Sequence, residues 1–135
     1  MMINKKTIVL MLLVPALFSC ATTGGDSAGK FLDQSIADFD KAILLDPNDA
    51  EAYRGRGAAY AGKGEYDKAI ADYNQAIRLN PNFAEAYRGR GAAYRYKGDD
   101  DLAIADYSQA IRLDPNFALA YFGRGTTYFI KRDND

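Results

Sequence analysis

The chain has 135 residues, a formal charge of -1, one cysteine, and neither histidine nor tryptophan. Those absences remove histidine-based nucleophile pairs, histidine metal sites and any intramolecular disulfide, and the near-neutral balance offers no net basic field to draw nucleic acid. The length allows one small domain.

At the start, Lys5 and Lys6 precede an apolar run, TIVLMLLVPALF from Thr7 to Phe18, that stops at the small residues Ser19 and Ala21. This is the pattern of an export signal. About twelve apolar residues interrupted by Pro15 fall short of the roughly 20 that a spanning helix takes. The single cysteine stands where the run ends, and Leu17-Phe18-Ser19-Cys20 resembles the lipobox of bacterial lipoproteins, with Phe18 in a place usually held by a small or aliphatic residue. The resemblance implies a signal peptide over 1–19, cleavage after Ser19, a diacylglyceryl group on Cys20 and a membrane-anchored protein of the bacterial cell envelope. Ala21 rather than Asp after the lipidated cysteine fits outer-membrane sorting, facing the periplasm. Ordinary secretion, with a cut after Ala21 in the small-x-small pattern Ser19-Cys20-Ala21, is the alternative. Residues 20–30 then read as the lipidated cysteine and a flexible tether, small and polar, whose ten residues after Cys20 reach about 18 Å.

The middle of the chain repeats itself. AEAYRGRGAAYAGKGEYDKAIADYNQAIRLNPNF, Ala50 to Phe83, is followed by AEAYRGRGAAYRYKGDDDLAIADYSQAIRLDPNF, Ala84 to Phe117. Tyr53, Gly57 and Tyr60 share one helix face, as do Ala69, Tyr73 and Ala76, and large residues alternate with small ones, so two helices of a hairpin can approach closely. Asn48, Asn82 and Asn116, each after a proline, are candidate N-caps, and Gly64 and Gly98 are candidate stops for the first helix of each pair. The period of 34 with Tyr53, Gly57, Tyr60, Ala69, Tyr73, Ala76 and Pro81, and in the second copy Tyr87, Gly91, Tyr94, Ala103, Tyr107, Ala110 and Pro115, resembles the tetratricopeptide repeat (TPR).

Upstream, Ser35, Phe39, Ala42 and Pro47 fit the second half of that pattern, so 31–49 reads as a B helix, Phe31 to Leu45, without its A helix. Downstream, 118–135 begins with Tyr121, Gly125 and Tyr128, an A helix without its B helix, followed by a short tail. The expected fold is all-α: a TPR-type helical-hairpin solenoid of six helices, with an orphan B helix, AB repeats at 50–83 and 84–117, and a terminal A helix. The last helix carries Phe122, Phe129 and Ile130, where a solenoid usually ends on a polar face. Two readings stay open: head-to-tail self-association of the terminal helices, or a truncated array with exposed apolar surface.

Several stretches invite chemical readings. GAAYAGKG, Gly57 to Gly64, has the Gly and Gly-Lys spacing of a phosphate loop but lies inside an expected helix, lacks the Ser or Thr that follows the lysine, and becomes GAAYRYKG in the second copy. No nucleotide or other cofactor is expected. Asp99, Asp100 and Asp101 open a helix, where carboxylates meet the favourable end of the macrodipole, so no metal is expected there. Gly55, Gly89 and Gly123 sit inside helices at a cost of about 1 kcal/mol each relative to Ala, which close packing would offset. Arg56, Arg90 and Arg124 are expected to lie over the tyrosines with their guanidinium groups in water.

Proteins of the family it resembles bind peptides in a groove lined by the A helices. Carried over, the resemblance implies Glu51, Arg54, Ala58, Ala61 and Gly62 from the first, then Glu85, Arg88, Ala92, Arg95 and Tyr96 from the second. Leu119, Phe122, Thr126, Phe129 and Ile130 come from the third. Arg54, Arg88 and Arg95 are suited to a partner's carboxylates, with Glu51 and Glu85 offsetting part of that field. The asparagine used by chaperone-tail-binding members is replaced by Ala58, Ala92 and Thr126, which disfavours that partner. The expected role is non-enzymatic: an envelope scaffold that binds a protein or peptide.

Overall fold

The computed structural model describes residues 27–134 as six helices: α1 (27–45), α2 (Ala50–Gly62), α3 (Tyr66–Leu79), α4 (Ala84–Lys97), α5 (Asp100–Leu113) and α6 (Ala118–Asn134). The expected signal segment, Cys20 and most of the tether lie outside these residues. Among the described residues no helix is long and apolar enough to cross a membrane. Residues 27–30, expected as the end of the tether, are already helical.

Glycine stops the A helices as expected. Gly64 and Gly98 adopt φ of 77° and 87°, a left-handed conformation that a Cβ would strain. The following amides of Glu65 and Asp99 then reach back to the carbonyls of Tyr60 and Tyr94, both at 2.9 Å, which satisfies acceptors left open at a helix end. The N-cap expectation is corrected. Asp49, not Asn48, caps α2, accepting from the amides of Glu51 at 2.9 Å and Ala52 at 3.2 Å. Asn48, Asn82 and Asn116 instead donate their own amides to Asp46, Asn80 and Asp114, two residues earlier. The side chain before each proline therefore organises the turn, and Phe83 occupies the N-cap position of α4 without a side-chain bond.

Packing follows the alternation of large and small. Tyr73 and Tyr107 are buried, at 4 % and 2 % exposure, among the fully buried alanines Ala69, Ala76, Ala103 and Ala110. Each ring reaches forward to the next repeat and lies on a glycine. A Cβ on Gly89 would stand 2.6 Å from the Tyr73 ring, and one on Gly123 would stand 2.5 Å from the Tyr107 ring; Phe39 covers Gly55 in the same way. These distances leave no room for a methyl group, which explains the helix-interior glycines. The α2–α3 and α4–α5 pairs form hairpins, and α2, α4 and α6 touch one another in succession, while α3 and α5 do not touch. The A helices thus form one continuous inner face and the B helices an outer row.

Two charged ladders join the repeats. Arg56 sets its Nε and Nη2 on the two oxygens of Asp72 at 2.8 and 2.7 Å, while Nη1 reaches Asp40 of α1 at 2.7 Å. Arg90 repeats this with Asp106, both bonds at 2.7 Å, and with Asn74 at 2.6 Å. The arginines do lie 5.6 and 5.5 Å from the rings of Tyr53 and Tyr87, but their guanidinium groups are not left in water. The nearly buried carboxylates of Asp72 and Asp106 accept the planar fork at two points, a geometry that water does not match. The bond to Asp72, followed by that to Asp40, holds the Arg56 pKa above its ordinary value, and Asp106 does the same for Arg90. Farther out, Lys63, Lys97 and Lys131 reach back to Asp33, Asp67 and Asp101 at 2.5, 2.6 and 2.6 Å. These are exposed pairs and contribute little each.

Candidate functional site

GAAYAGKG is helix and turn. Gly57 is buried in α2, where its Cβ would stand 3.2 Å from the Ala69 carbonyl, and Lys63 pairs with Asp33 and Glu65. In the acidic run, Asp100 and Asp101 lie in the first turn of α5, and Asp101 is held by Lys131.

The groove residues fall on α2, α4 and α6, which are neighbours, but they are not equivalent. On α2, Glu51 takes Arg54 as its partner at 2.8 Å, so that arginine is already neutralised within the chain. Ala58 is exposed and Ala61 half-buried, leaving a shallow, small-residue surface beside them. Gly62 lies under Leu32 of α1, 3.1 Å from where its Cβ would be.

On α4 the charges are unmatched. Glu85 is exposed and makes no ion pair with Arg88, and neither Arg88 nor Arg95 has a carboxylate partner among the described residues. The Nε atoms of both arginines are buried and without a hydrogen-bond acceptor. Buried donors are nearly always satisfied, and leaving one unmade costs about 1–3 kcal/mol. The planes are positioned by aromatic rings: Arg88 lies 5.9 Å from the centre of Phe117 and Arg95 4.7 Å from that of Tyr96. Tyr96 is itself stacked on Tyr66 of α3, with centroids 5.3 Å apart and planes 7° from parallel. One face of Tyr96 is therefore taken within the chain, a constraint on its expected groove role that only the neighbouring helix reveals. Ala92 sits between the two arginines, half-buried.

On α6, Leu119, Phe122 and Phe129 are exposed, at 59 %, 74 % and 62 %. Thr126 turns its hydroxyl inward to the Phe122 carbonyl at 2.9 Å, so it does not offer a free donor. Ile130 is at the edge of this surface, next to Phe129. The face thus grades from small at α2, through cationic at α4, to apolar at α6.

The tyrosines beneath the face register this field. Burial pushes the Tyr73 pKa up from 10.0, with Arg88 and then Arg54 opposing; burial does the same to Tyr107, with Arg95 and Arg88 opposing. Both phenols thus stay protonated to a higher pH in the folded chain than in the unfolded one, so their contribution to stability is complete below the ordinary value and is lost as pH rises through the folded one. Urea midpoints measured from about pH 8 to about pH 11 should therefore fall at the alkaline end, and Tyr107→Phe should make that fall shallower. An equally steep fall in the variant would assign it to other groups.

Comparison with known proteins bears on the same residues. The family model of the TPR repeat matches residues 29–64, 59–95 and 91–130. No curated protein matches the chain. Among solved structures, the first TPR of Spaghetti (RPAP3) bound to the HSP90 peptide SRMEEVD is similar with a TM-score of 0.73 and 26 % identity, covering 76 % of this chain and 82 % of that one. The first TPR domain of human RPAP3 is similar with a TM-score of 0.73 and 25 % identity, over 82 % of this chain and 92 % of that one. MamA is 35 % identical with a TM-score of 0.70, over 74 % of this chain and 58 % of that one.

Proposed function

The chain belongs to the TPR repeat family, and from that premise we propose that it is a non-enzymatic adaptor which holds an acidic peptide segment of a protein partner across α2, α4 and α6. The observation that carries this reading is that Arg88 and Arg95, side by side on α4 and only half-buried, have no carboxylate partner among the described residues. A carboxylate laid along α4 supplies the missing negative charge, and a guanidinium can donate to such a group at two points. The apolar side chains of α6 then receive a hydrophobic residue of the same segment, and Ala58 leaves space at the opposite end. The similarity to Spaghetti, whose bound peptide SRMEEVD is acidic, supports the charge of the ligand. Ala58, Ala92 and Thr126, in place of the asparagine of chaperone-tail binders, argue for a different acidic segment.

We also place the adaptor at a membrane of the bacterial cell envelope, through a lipid on Cys20. The support is the basic and apolar start of the chain and its Leu17-Phe18-Ser19-Cys20 sequence. Cys20→Ala should move the protein out of the membrane fraction; persistence there would remove the anchor.

The groove is tested by crosslinked capture from intact cells. Arg88→Glu with Arg95→Glu should reduce recovery of the partner tenfold or more, with the circular dichroism spectrum unchanged. Undiminished capture by a folded double variant overturns the assignment.

A further inference from the structure

α6 is covered on one side only in the described residues. In α2 and α4, the side turned to the following helix is closed: Tyr53, Tyr60, Tyr87 and Tyr94 are half-buried, and Gly57 and Gly91 are buried. A Cβ on either glycine would stand 3.2 Å from the carbonyl of Ala69 or Ala103. The equivalent residues of α6, Tyr121, Gly125 and Tyr128, are all exposed, and nothing lies within 4 Å of a Cβ on Gly125. Arg124 carries the same mark. It keeps the bond to α5, through Ser108 at 3.0 Å, but no described carboxylate stands where Asp72 holds Arg56 and Asp106 holds Arg90.

α1 carries the reciprocal surface. Ser35, Asp38, Phe39 and Ala42 correspond, one period earlier, to Ala69, Asp72, Tyr73 and Ala76, all four of which are buried. In α1, Asp38 is exposed and the other three are only half-buried. Asp38 accepts a hydrogen bond from Gln34 of its own helix at 3.1 Å and has no cation partner among the described residues.

We propose that α1 of a second copy of this chain docks on α6, so that the hairpin interface seen twice within the molecule is formed a third time between molecules. Asp38 of the incoming copy takes the Arg124 guanidinium as Asp72 takes Arg56, and the backbone at Ser35 closes over Gly125 as that at Ala69 closes over Gly57. The contact is complementary in charge, one carboxylate to one guanidinium, and in shape, a small residue against a glycine. It joins two different surfaces, so each added molecule presents the same free end again. The product is an open head-to-tail array rather than a closed dimer. The acidic-peptide groove lies on the inner face, so assembly and peptide capture are separable.

Sedimentation of the full chain in a mild detergent, over a hundredfold concentration range, should show mass rising continuously with concentration. Arg124→Asp alone and Asp38→Arg alone should each weaken association at least tenfold, whereas a mixture of the two variants should assemble, because each then supplies the charge that the other lacks. Gly125→Gln is a second, independent probe. It raises helix propensity and meets nothing in the monomer, so Tm should hold or rise while assembly is blocked. A wild-type monomer throughout overturns the proposal and leaves the α6 face to a partner of other sequence. Association that ignores all three substitutions overturns it as well and assigns self-contact to another surface.

Discussion

Tyr107→Ala is expected to lower stability by about 3–5 kcal/mol, the range for deleting a large buried aromatic side chain, and to reduce Tm by roughly 15–25 °C for a fold of this size. The ring, 2 % exposed, contacts the Gly91 region of its own hairpin and lies on Gly123 of the next helix. Removing it opens a cavity that glycine and alanine neighbours cannot fill, since none has a side chain long enough to swing in. The loss is therefore shared by two junctions, α4–α5 and α5–α6. Thermal melting by circular dichroism measures it; a drop below about 1 kcal/mol would mean that the helices collapse onto the space and that ring-on-glycine packing is not what holds the repeats together.

Asp106→Ala comes second. Breaking a fully buried ion pair costs about 3–5 kcal/mol because one charge is left uncompensated. Arg90 retains 20 % exposure of its side chain and its bond to Asn74, so the expected loss is about 2–3 kcal/mol. Replacing both members, Arg90→Met with Asp106→Leu, should recover most of it, since no unpaired charge then remains. Urea midpoints of Arg90→Met, Asp106→Leu and the double variant form the test; additive losses would show that the two side chains act independently of each other. Lys97→Ala, which removes the exposed pair with Asp67, serves as the contrast and should leave the midpoint nearly unchanged.

The period of 34 made the hairpins, their glycine stops and the tyrosine core readable in the sequence, because these depend on spacing within one helix or one turn. Contacts that cross between helices were less accessible. Arg56 and Asp72, or Arg90 and Asp106, recur in both copies, yet a separation of 16 residues spans a turn, and spacing alone does not say that two such residues meet. Gly89 looked costly because its occupant, the Tyr73 ring, belongs to the preceding repeat. The asparagines do not cap the helices for a related reason: the side chain before each proline draws the asparagine amide into the turn, and the N-cap position falls one residue later, at Asp49 and Phe83. Residues 27–30 gave no helical period because that first turn is largely exposed and presents no apolar stripe. In the groove, the arginines were visible as a row, but the pairing of Arg54 with Glu51 and the lack of a described carboxylate beside Arg88 and Arg95 depend on rotamers that a row of letters does not contain.

The seam between Phe83 and Ala84 has one more implication. The recurring contacts across it, ring on glycine, arginine on the side-chain oxygen of Asn74 and lysine on aspartate, are made between residues separated by the same intervals as at the neighbouring junction. A further 34-residue unit inserted there would find matching sockets already cut on both sides, and would itself present equivalent sockets to the next. Gene duplication can therefore lengthen or shorten such a chain without redesigning any interface, and selection is free to tune the reach of the binding face by counting units rather than by altering residues.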